Sequence, residues 1–463
     1  MNEPPGFSPP VKVLTGGTIV TAFRSPRVFT DGALAWQGDR ILDLGDTSEM
    51  IGRYPDAVVL DGRGGLVLPG LVNLHHHFYS SLARGLNPGR QMDNFGEILD
   101  GLWWRLDRAL DADTIRVSAE LALADSIRWG VTTVFDHHAS PTVIGGSLEI
   151  IAKAVEDAGL SAVLCYEITD RNGHDGAIEG LEENLAFFAN RRDDARIRGM
   201  LGFHASFTVD DATLRGAAEE RPAGMGCHIH VAEDPLDLRV SKVIYDNGPV
   251  QRLERCGLID DRTLAVHCIH LGTDDRRRLA EGGAVIIHNP ESNANNGVGR
   301  LDLEGAADDG CRVGLGTDGM SSSVLGSLRA AFLGVRGGRR DPTAGFTVVP
   351  ELLAVNAEVA GQFLDEPQLG RLEVGAPADF FVLDQAPPTP VTAENLFAQM
   401  VYGAAGSPVR HTVARGRVVM EDHRIATLDP TRMAEQARTA TPGLWERFHA
   451  LGVSRPEWLP SKD

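Results

Sequence analysis

Eight short apolar runs, each followed by a stretch that repeats apolar residues at helical spacing, leave this chain few ways to fold. The runs lie at 66–75, 131–136, 161–168, 197–206, 225–231, 263–269, 284–288 and 311–316. Between them, segments such as Ser147 to Gly159 and Asp237 to Leu258 carry one apolar face of a helix. Gly and Asp punctuate the junctions, as at Asp309-Gly310 before the last run. Eight strand–helix units in succession predict an α/β fold of the (β/α)8 barrel type rather than an open sheet. In such a barrel the functional groups lie at the carboxyl ends of the strands.

The two chain ends have another texture. Val11-Lys-Val-Leu-Thr, Thr18-Ile-Val-Thr, Gly32-Ala-Leu-Ala-Trp and Arg40-Ile-Leu-Asp-Leu are short strand-like runs broken by Gly, Asp and Pro. Ala378-Asp-Phe-Phe-Val-Leu-Asp and Val409 to Met420 repeat that pattern, so both ends are expected to build one small β-sandwich. The expected organisation is a sandwich from residues 1–65 plus 366–463, ending in a helical tail at 430–451, around a catalytic barrel at 66–365. A further helix is expected at 349–364. The 463 residues are enough for one domain of ~250–300 residues and a smaller one.

Composition excludes several classes of partner. A formal net charge of −20 disfavours nucleic-acid phosphates and anionic membranes, and is more simply an aid to solubility. No run of ~18 apolar residues is present to span a bilayer. The opening Met1-Asn-Glu-Pro-Pro-Gly lacks the basic and apolar regions of a signal peptide. Five cysteines without a CxxC pair, mostly in apolar runs, point to reduced, buried thiols in a cytoplasmic protein.

The chemistry concentrates at the ends of the runs. The first is Leu68-Pro-Gly-Leu-Val-Asn-Leu-His-His-His-Phe-Tyr-Ser80, and alternate residues of a strand share a face. His75 and His77 therefore point one way and His76 the other, and two imidazoles at a strand end are half of a metal site. The fifth run, Gly226-Cys-His-Ile-His-Val-Ala-Glu-Asp234, puts His228 and His230 on one face with Glu233 just beyond. The sixth ends Val266-His267-Cys-Ile-His270, and the eighth ends Gly316-Thr-Asp318-Gly319. A lone His-x-His is more often structural, and an Asp before Gly is as readily a helix cap. Four such groups at four strand ends favour the rim of a catalytic barrel.

These motifs resemble the amidohydrolase superfamily, specifically its cytosine/adenosine-type aminohydrolases, over nearly the whole chain. Pro-Gly-x-x-x-x-His-x-His matches Pro69 to His77, His-x-x-Glu matches His230 to Glu233, and Thr-Asp-Gly matches Thr317 to Gly319. Gly375-Ala-Pro-Ala-Asp-Phe-Phe-Val-Leu-Asp384 is similar to the return strand of the family's sandwich. The resemblance implies one divalent metal held by His75, His77, His230 and Asp318. Zinc suits that donor set first and iron second. It also implies catalytic roles for three residues: Asp318 accepts a proton from the attacking water, Glu233 shuttles protons to the ring, and His267 hydrogen-bonds that water. His228 faces inward without a family role, and His76 and His270 read as structural. Relatives with two metals bridge them through a lysine at the end of strand four. Met200 to Thr208 contains none, and Lys12, Lys153, Lys242 and Lys462 all lie elsewhere.

The run His75 to Gly85 is similar to that of SsnA-type aminohydrolases and of 8-oxoguanine and isoxanthopterin deaminases, and the run His288 to Gly299 resembles the SsnA pattern. That implies deamination of a planar, purine- or pterin-like ring, with Tyr79, Arg84 and His204 as substrate contacts and Trp103 and Trp104 as further candidates. Ser80 stands where guanine-type enzymes carry glutamine, and Phe203-His204 where they carry Arg-Phe, which weighs against guanine itself. The alternatives are a hydrolytic dechlorinase of a triazine-like ring and guanine deaminase proper. The resemblance further implies a homo-oligomer.

Overall fold

A computed structural model describes residues 9–384 and 386–452. The stretch Met1-Asn-Glu-Pro-Pro-Gly and Lys462 lie outside the described residues. Eight parallel strands form the barrel in sequence order: Leu71–His76, Val131–His138, Ser161–Ile168, Leu201–Ala205, Cys227–Val231, Thr263–His267, Val285–His288 and Arg312–Leu315. We number them one to eight. Helices follow each strand, from Ala112–Arg128 after the first to Val324–Arg339 after the eighth.

The seam between strands one and eight positions the site. The amides of Thr317 and Asp318 both donate to the His75 carbonyl at 3.0 Å, which draws the eighth strand end onto the first. Below them, Asn356 of the helix Glu351–Phe363 holds both strands. Its Nδ2 donates to the carbonyls of Val72 at 2.7 Å and Leu315 at 2.8 Å, and its Oδ1 accepts the Leu315 amide at 2.7 Å. Gly316 is required by the close approach: a Cβ there would lie 2.3 Å from Asn289 Oδ1 and 2.8 Å from His75 Cβ. One apolar cluster joins Val72, Leu74, Phe135, Val163, Val266 and Ile287 of the strands to Phe363 of that helix. Burying each such side chain stabilises the fold by roughly 1.5–3 kcal/mol.

Strands from both chain ends form a separate nine-stranded sheet. Phe380–Leu383 runs antiparallel to Leu66–Pro69, and Lys12–Val20 pairs parallel to Leu66–Pro69 and antiparallel to Val28–Gln37. Leu14, Leu34, Trp36, Phe380 and Val413 from all along this sheet share one buried cluster.

Local differences from the sequence reading have physical causes. The run 66–75 is two strands divided at Gly70, where the chain passes from the terminal sheet into the barrel. The Gly70 amide donates to Asp379 of one sheet while the Leu71 amide donates to Gly130 beside the other, and Thr132 packs where a Cβ would stand. The expected helix from Asp237 to Leu258 is two, Pro235–Tyr245 and Pro249–Arg255. Asp246 ends the first in a left-handed conformation (φ 53°), and Pro249 starts the second. The expected helices at 349–364 and 430–451 form as Glu351–Phe363 and Pro430–Ala450. No helix among the described residues is long and apolar enough to cross a membrane. All five cysteines are free.

Candidate active site

Strands one, five and eight bring their polar ends to one point. His75 Nε2 lies 3.3 Å from His230 Nε2 and 3.7 Å from Asp318 Oδ1, and His77 Nε2 lies 3.4 Å from the same oxygen. The donor atoms of His75, His77 and His230 all fall within 4.8 Å of one another, as do those of His75, His267 and Asp318. Each of these side chains is buried.

Hydrogen bonds behind the ring fix which nitrogen faces the centre. His77 Nδ1 donates to the His137 carbonyl at 2.6 Å and His230 Nδ1 donates to the His204 carbonyl at 2.5 Å. A carbonyl only accepts, so both imidazoles keep an Nε2 lone pair pointed inward. His75 Nδ1 is likewise engaged, with His228 Nε2 at 3.0 Å. His228 thus lies behind His75, apart from the convergence point. Burial pushes His75 and His230 well below the usual histidine range, which keeps them neutral. Burial alone would raise Asp318, but the imidazoles of His75, His77 and His267 outweigh it and hold its carboxyl well below the usual range. Converging lone pairs and a carboxylate in a buried site call for a cation, and three imidazoles with one carboxylate fit a divalent metal of the zinc or iron type. Strand four contains no lysine, while Lys153 and Lys242 are exposed and paired with Asp157 and Asp246.

A second set of groups adjoins the first. His267 Nε2 lies 3.4 Å from Glu233 Oε2 and 3.7 Å from Asp318 Oδ2. One short helix, Pro290–Asn296, touches all three. Ser292 Oγ donates to Asp318 Oδ2 at 2.6 Å, Asn293 Oδ1 accepts from His267 Nδ1 at 2.8 Å, and Asn296 Nδ2 donates to Glu233 Oε1 at 3.4 Å. The His267 Nε2 lone pair is therefore left facing the centre, where it has no protein partner. Burial, reinforced by Asp318, pushes Glu233 well above the usual carboxylate range, which favours its protonated form. His267 and Asp318 are both left-handed, at φ 71° and 55°, which costs each of them on the order of 1–2 kcal/mol. Backbone strain at the ends of strands six and eight, where their side chains meet, is a mark of a functional rim.

A cavity of about 690 Å³, its open mouth included, leads to these groups. His77, His230, Glu233, His267 and Asp318 line its floor. Tyr79, His204, Trp103 and Trp104 also line it, Trp103 ending a π-helical turn at Leu99–Trp103 and Trp104 opening the helix Trp104–Ala109. His204 Nδ1 donates to Thr208 Oγ1 at 2.6 Å, and the Thr208 hydroxyl donates to the Ala205 carbonyl at 3.0 Å. That leaves His204 Nε2 as an acceptor, 3.5 Å from Trp104 Nε1. Arg84 is elsewhere. It follows the turn Phe78–Ala83, its side chain is 65% exposed, and it pairs with Asp125 at 2.6 Å beside a different groove. The expected substrate contact at Arg84 is therefore withdrawn. His76 bonds Ser322 Oγ and His270 donates to the Val298 carbonyl, both away from the convergence point.

Several residues escaped the sequence reading. His137, at the end of strand two, supplies the carbonyl that orients His77 and sets its ring against Glu167 of strand three, Nε2 to Oε2 at 3.5 Å. Arg171 joins Glu167 at 2.9 Å and Asp107 at 2.5 Å, and all three line or border the cavity. The doublet His137-His138 was the available signal, one residue beyond the expected end of its strand. Asp107 and Arg171 belong to no motif.

The amidohydrolase family model matches residues 66–419. A 5-methylthioadenosine/S-adenosylhomocysteine deaminase of Desulforudis audaxviator is 32% identical, covering 88% of this chain and 94% of its own. A 5′-deoxyadenosine deaminase of Methanosarcina mazei is 30% identical, covering 91% and 94%. Among solved structures, a zinc-bound adenosine deaminase from Xanthomonas campestris superposes with a TM-score of 0.81 over 96% of this chain and 99% of its own, at 22% identity. At that identity the likeness supports the shared fold alone.

Proposed function

The chain belongs to the amidohydrolase family, and from that premise we propose that it is a mononuclear metal-dependent aminohydrolase that releases ammonia from the exocyclic amino group of a purine, adenine-type nucleosides foremost. The observation that carries the reading is the meeting of His75, His77, His230 and Asp318 beside Glu233 and His267, all but His75 on the floor of one cavity.

His75, His77, His230 and Asp318 would hold the metal, zinc by our reading. When bound, such an ion acts as a Lewis acid that lowers the pKa of a water from 15.7 to about 7. Around it the protein manages protons and geometry. Asp318, kept as a carboxylate and steadied by Ser292, accepts a proton from the attacking water. His267 Nε2, fixed as an acceptor by Asn293, holds the same water against the ring carbon. Glu233, its protonated form favoured by burial, delivers its proton to the neighbouring ring nitrogen and later assists ammonia in leaving. Water adds, ammonia departs, and the amino group becomes a ring carbonyl. Tyr79, Trp103 and Trp104 offer aromatic surfaces to a planar ring, and His204 Nε2 accepts from Trp104 Nε1 and so steadies that indole in the wall.

A cytoplasmic setting and a homo-oligomeric state complete the proposal, the former supported by five free thiols. The test is ammonia release from zinc-loaded protein with adenosine, 5′-deoxyadenosine, adenine, guanine, a pterin and a triazine. Release from the adenine nucleosides, lost in Asp318→Asn, is the expected result. Release from the pterin or triazine alone would overturn the substrate assignment.

A further inference from the structure

Of the two histidines on strand five, the proposed chemistry uses His230 and leaves His228 idle. His228 is fully buried and does not line the cavity. It belongs to a polar cluster behind the convergence point, inside the barrel. Its Nε2 lies 3.0 Å from His75 Nδ1. On its other side, Cys165 Sγ lies 3.9 Å from His228 Nδ1 and 3.5 Å from His137 Nδ1. The rings of His75 and His137 both stand edge-on to His228, with centroids 5.0 Å away.

The three imidazoles at the centre are not held alike. His77 and His230 lean on backbone carbonyls, those of His137 and His204, which a change of side chain leaves in place. His75 leans on a side chain. The direction of that bond follows from what faces the other nitrogen. His75 Nε2 lies 3.3 Å from His230 Nε2 and 3.7 Å from Asp318 Oδ1, at the point where a cation would sit. A neutral imidazole that keeps its lone pair there carries its one proton on Nδ1. His75 then donates and His228 Nε2 accepts, which leaves the proton of His228 on Nδ1, toward Cys165. A donor in place of that acceptor would drive the His75 proton onto Nε2 and close the coordinating face.

We propose that His228 is a positioning residue for the metal centre: by accepting the Nδ1 proton of His75 it selects the tautomer of His75 that can bind metal. The first histidine of His228-Ile-His230 thereby acts through strand one, while the second acts directly. The inference rests on the metal centre of the proposed aminohydrolase, but not on its substrate, and it is measured apart from turnover.

The test is the zinc affinity of the full chain, read by competition with a chromophoric chelator, for the parent, His228→Phe and His228→Gln. Phe keeps a flat ring among its aromatic neighbours and offers no acceptor. Gln can bring an amide oxygen close to the position of Nε2. His228→Phe should weaken zinc about 10–100-fold, the usual cost of removing such a partner, and His228→Gln should recover most of that loss. His228→Leu, made independently in case the Phe variant fails to fold, should behave as Phe does. In the cobalt-loaded proteins the visible absorption, which reports the ligand field, should shift in the Phe variant and return in the Gln variant. Unchanged zinc affinity in a folded Phe or Leu variant would overturn the proposal, and so would equal loss in Phe and Gln, which marks a packing role. Two zinc ions per chain in the parent, with one lost in His228→Phe, would also overturn it, because His228 would then be a ligand. A parent that binds no zinc would overturn it together with the metal centre. Ammonia release by the same proteins reports the other reading. A zinc loss rescued by Gln in a protein without deaminase activity would keep the role of His228 and sink deamination. Active protein with unmoved zinc affinity would do the reverse.

Discussion

His75 and His230 stand on strands one and five, half the barrel apart, yet their Nε2 atoms are 3.3 Å from each other. With His230 Nδ1 donating to a carbonyl, its inward lone pair is fixed, and burial keeps both rings neutral. A cation between them relieves that crowding. Chelation should therefore abolish ammonia release and lower the melting temperature together, since a ligand bound to the folded state stabilises it by mass action. His230→Ala should lose metal, read by elemental analysis. Full metal retention in that variant would contradict the ligand assignment.

Asn293 holds the tautomer of His267 without reaching the cavity itself. Asn293→Leu should cut kcat about 10–100-fold, the usual cost of removing such a support, with metal content and KM little changed. Asn293→Asp keeps the accepting oxygen and should retain most of the rate. Equal loss in both variants would point to a packing role instead.

The pH profile follows from Glu233. Its pKa is raised by burial and by Asp318, so the protonated form is favoured and is lost as pH rises through that elevated value. kcat should accordingly fall on the alkaline side. Glu233→Gln should lack that limb and be slower by about 10²–10⁴-fold, the range of general acid–base assistance. His204, at about 3, should add no limb between pH 5 and 9. His204→Leu should raise KM while leaving the profile's shape alone.

Asn356 makes three hydrogen bonds across the seam that carries His75 and Asp318. Asn356→Ala should destabilise the fold by about 2–4 kcal/mol, because it orphans buried backbone groups on two strands. Denaturant unfolding of the metal-loaded protein reads this. A loss under about 0.5 kcal/mol would show that the backbone contacts at Thr317 and Asp318 close the barrel unaided.

What the sequence made legible was periodic. Alternation put His75 and His77 on one face, and the fixed spacing of His230 to Glu233 carried one residue to the centre and the other just past it. The eight strands were legible because each apolar run is short and bounded. Three kinds of feature were not. Asp107, Glu167 and Arg171 come from a helix, a strand and a turn, and only the tertiary fold brings the first within reach of the other two. His137 was hidden by ending its strand at 136, although the strand runs to His138. Arg84 was misplaced because a tight turn at Phe78–Ala83, invisible to strand alternation, carries the chain away from the cavity after Tyr79. The helix break at Asp246 was likewise a backbone event that apolar spacing alone did not report.

The central claim is that these strand ends form a deaminase, and ammonia release tests it most directly. Zinc-loaded protein is incubated with adenosine and 5′-deoxyadenosine beside Glu233→Gln and Asp318→Asn. Stoichiometric ammonia and the corresponding oxopurine from the unaltered protein, with Glu233→Gln retaining its metal but almost no turnover, is the predicted result. A fully metal-loaded protein that releases no ammonia from either nucleoside, or a Glu233→Gln variant as active as the parent, would contradict it.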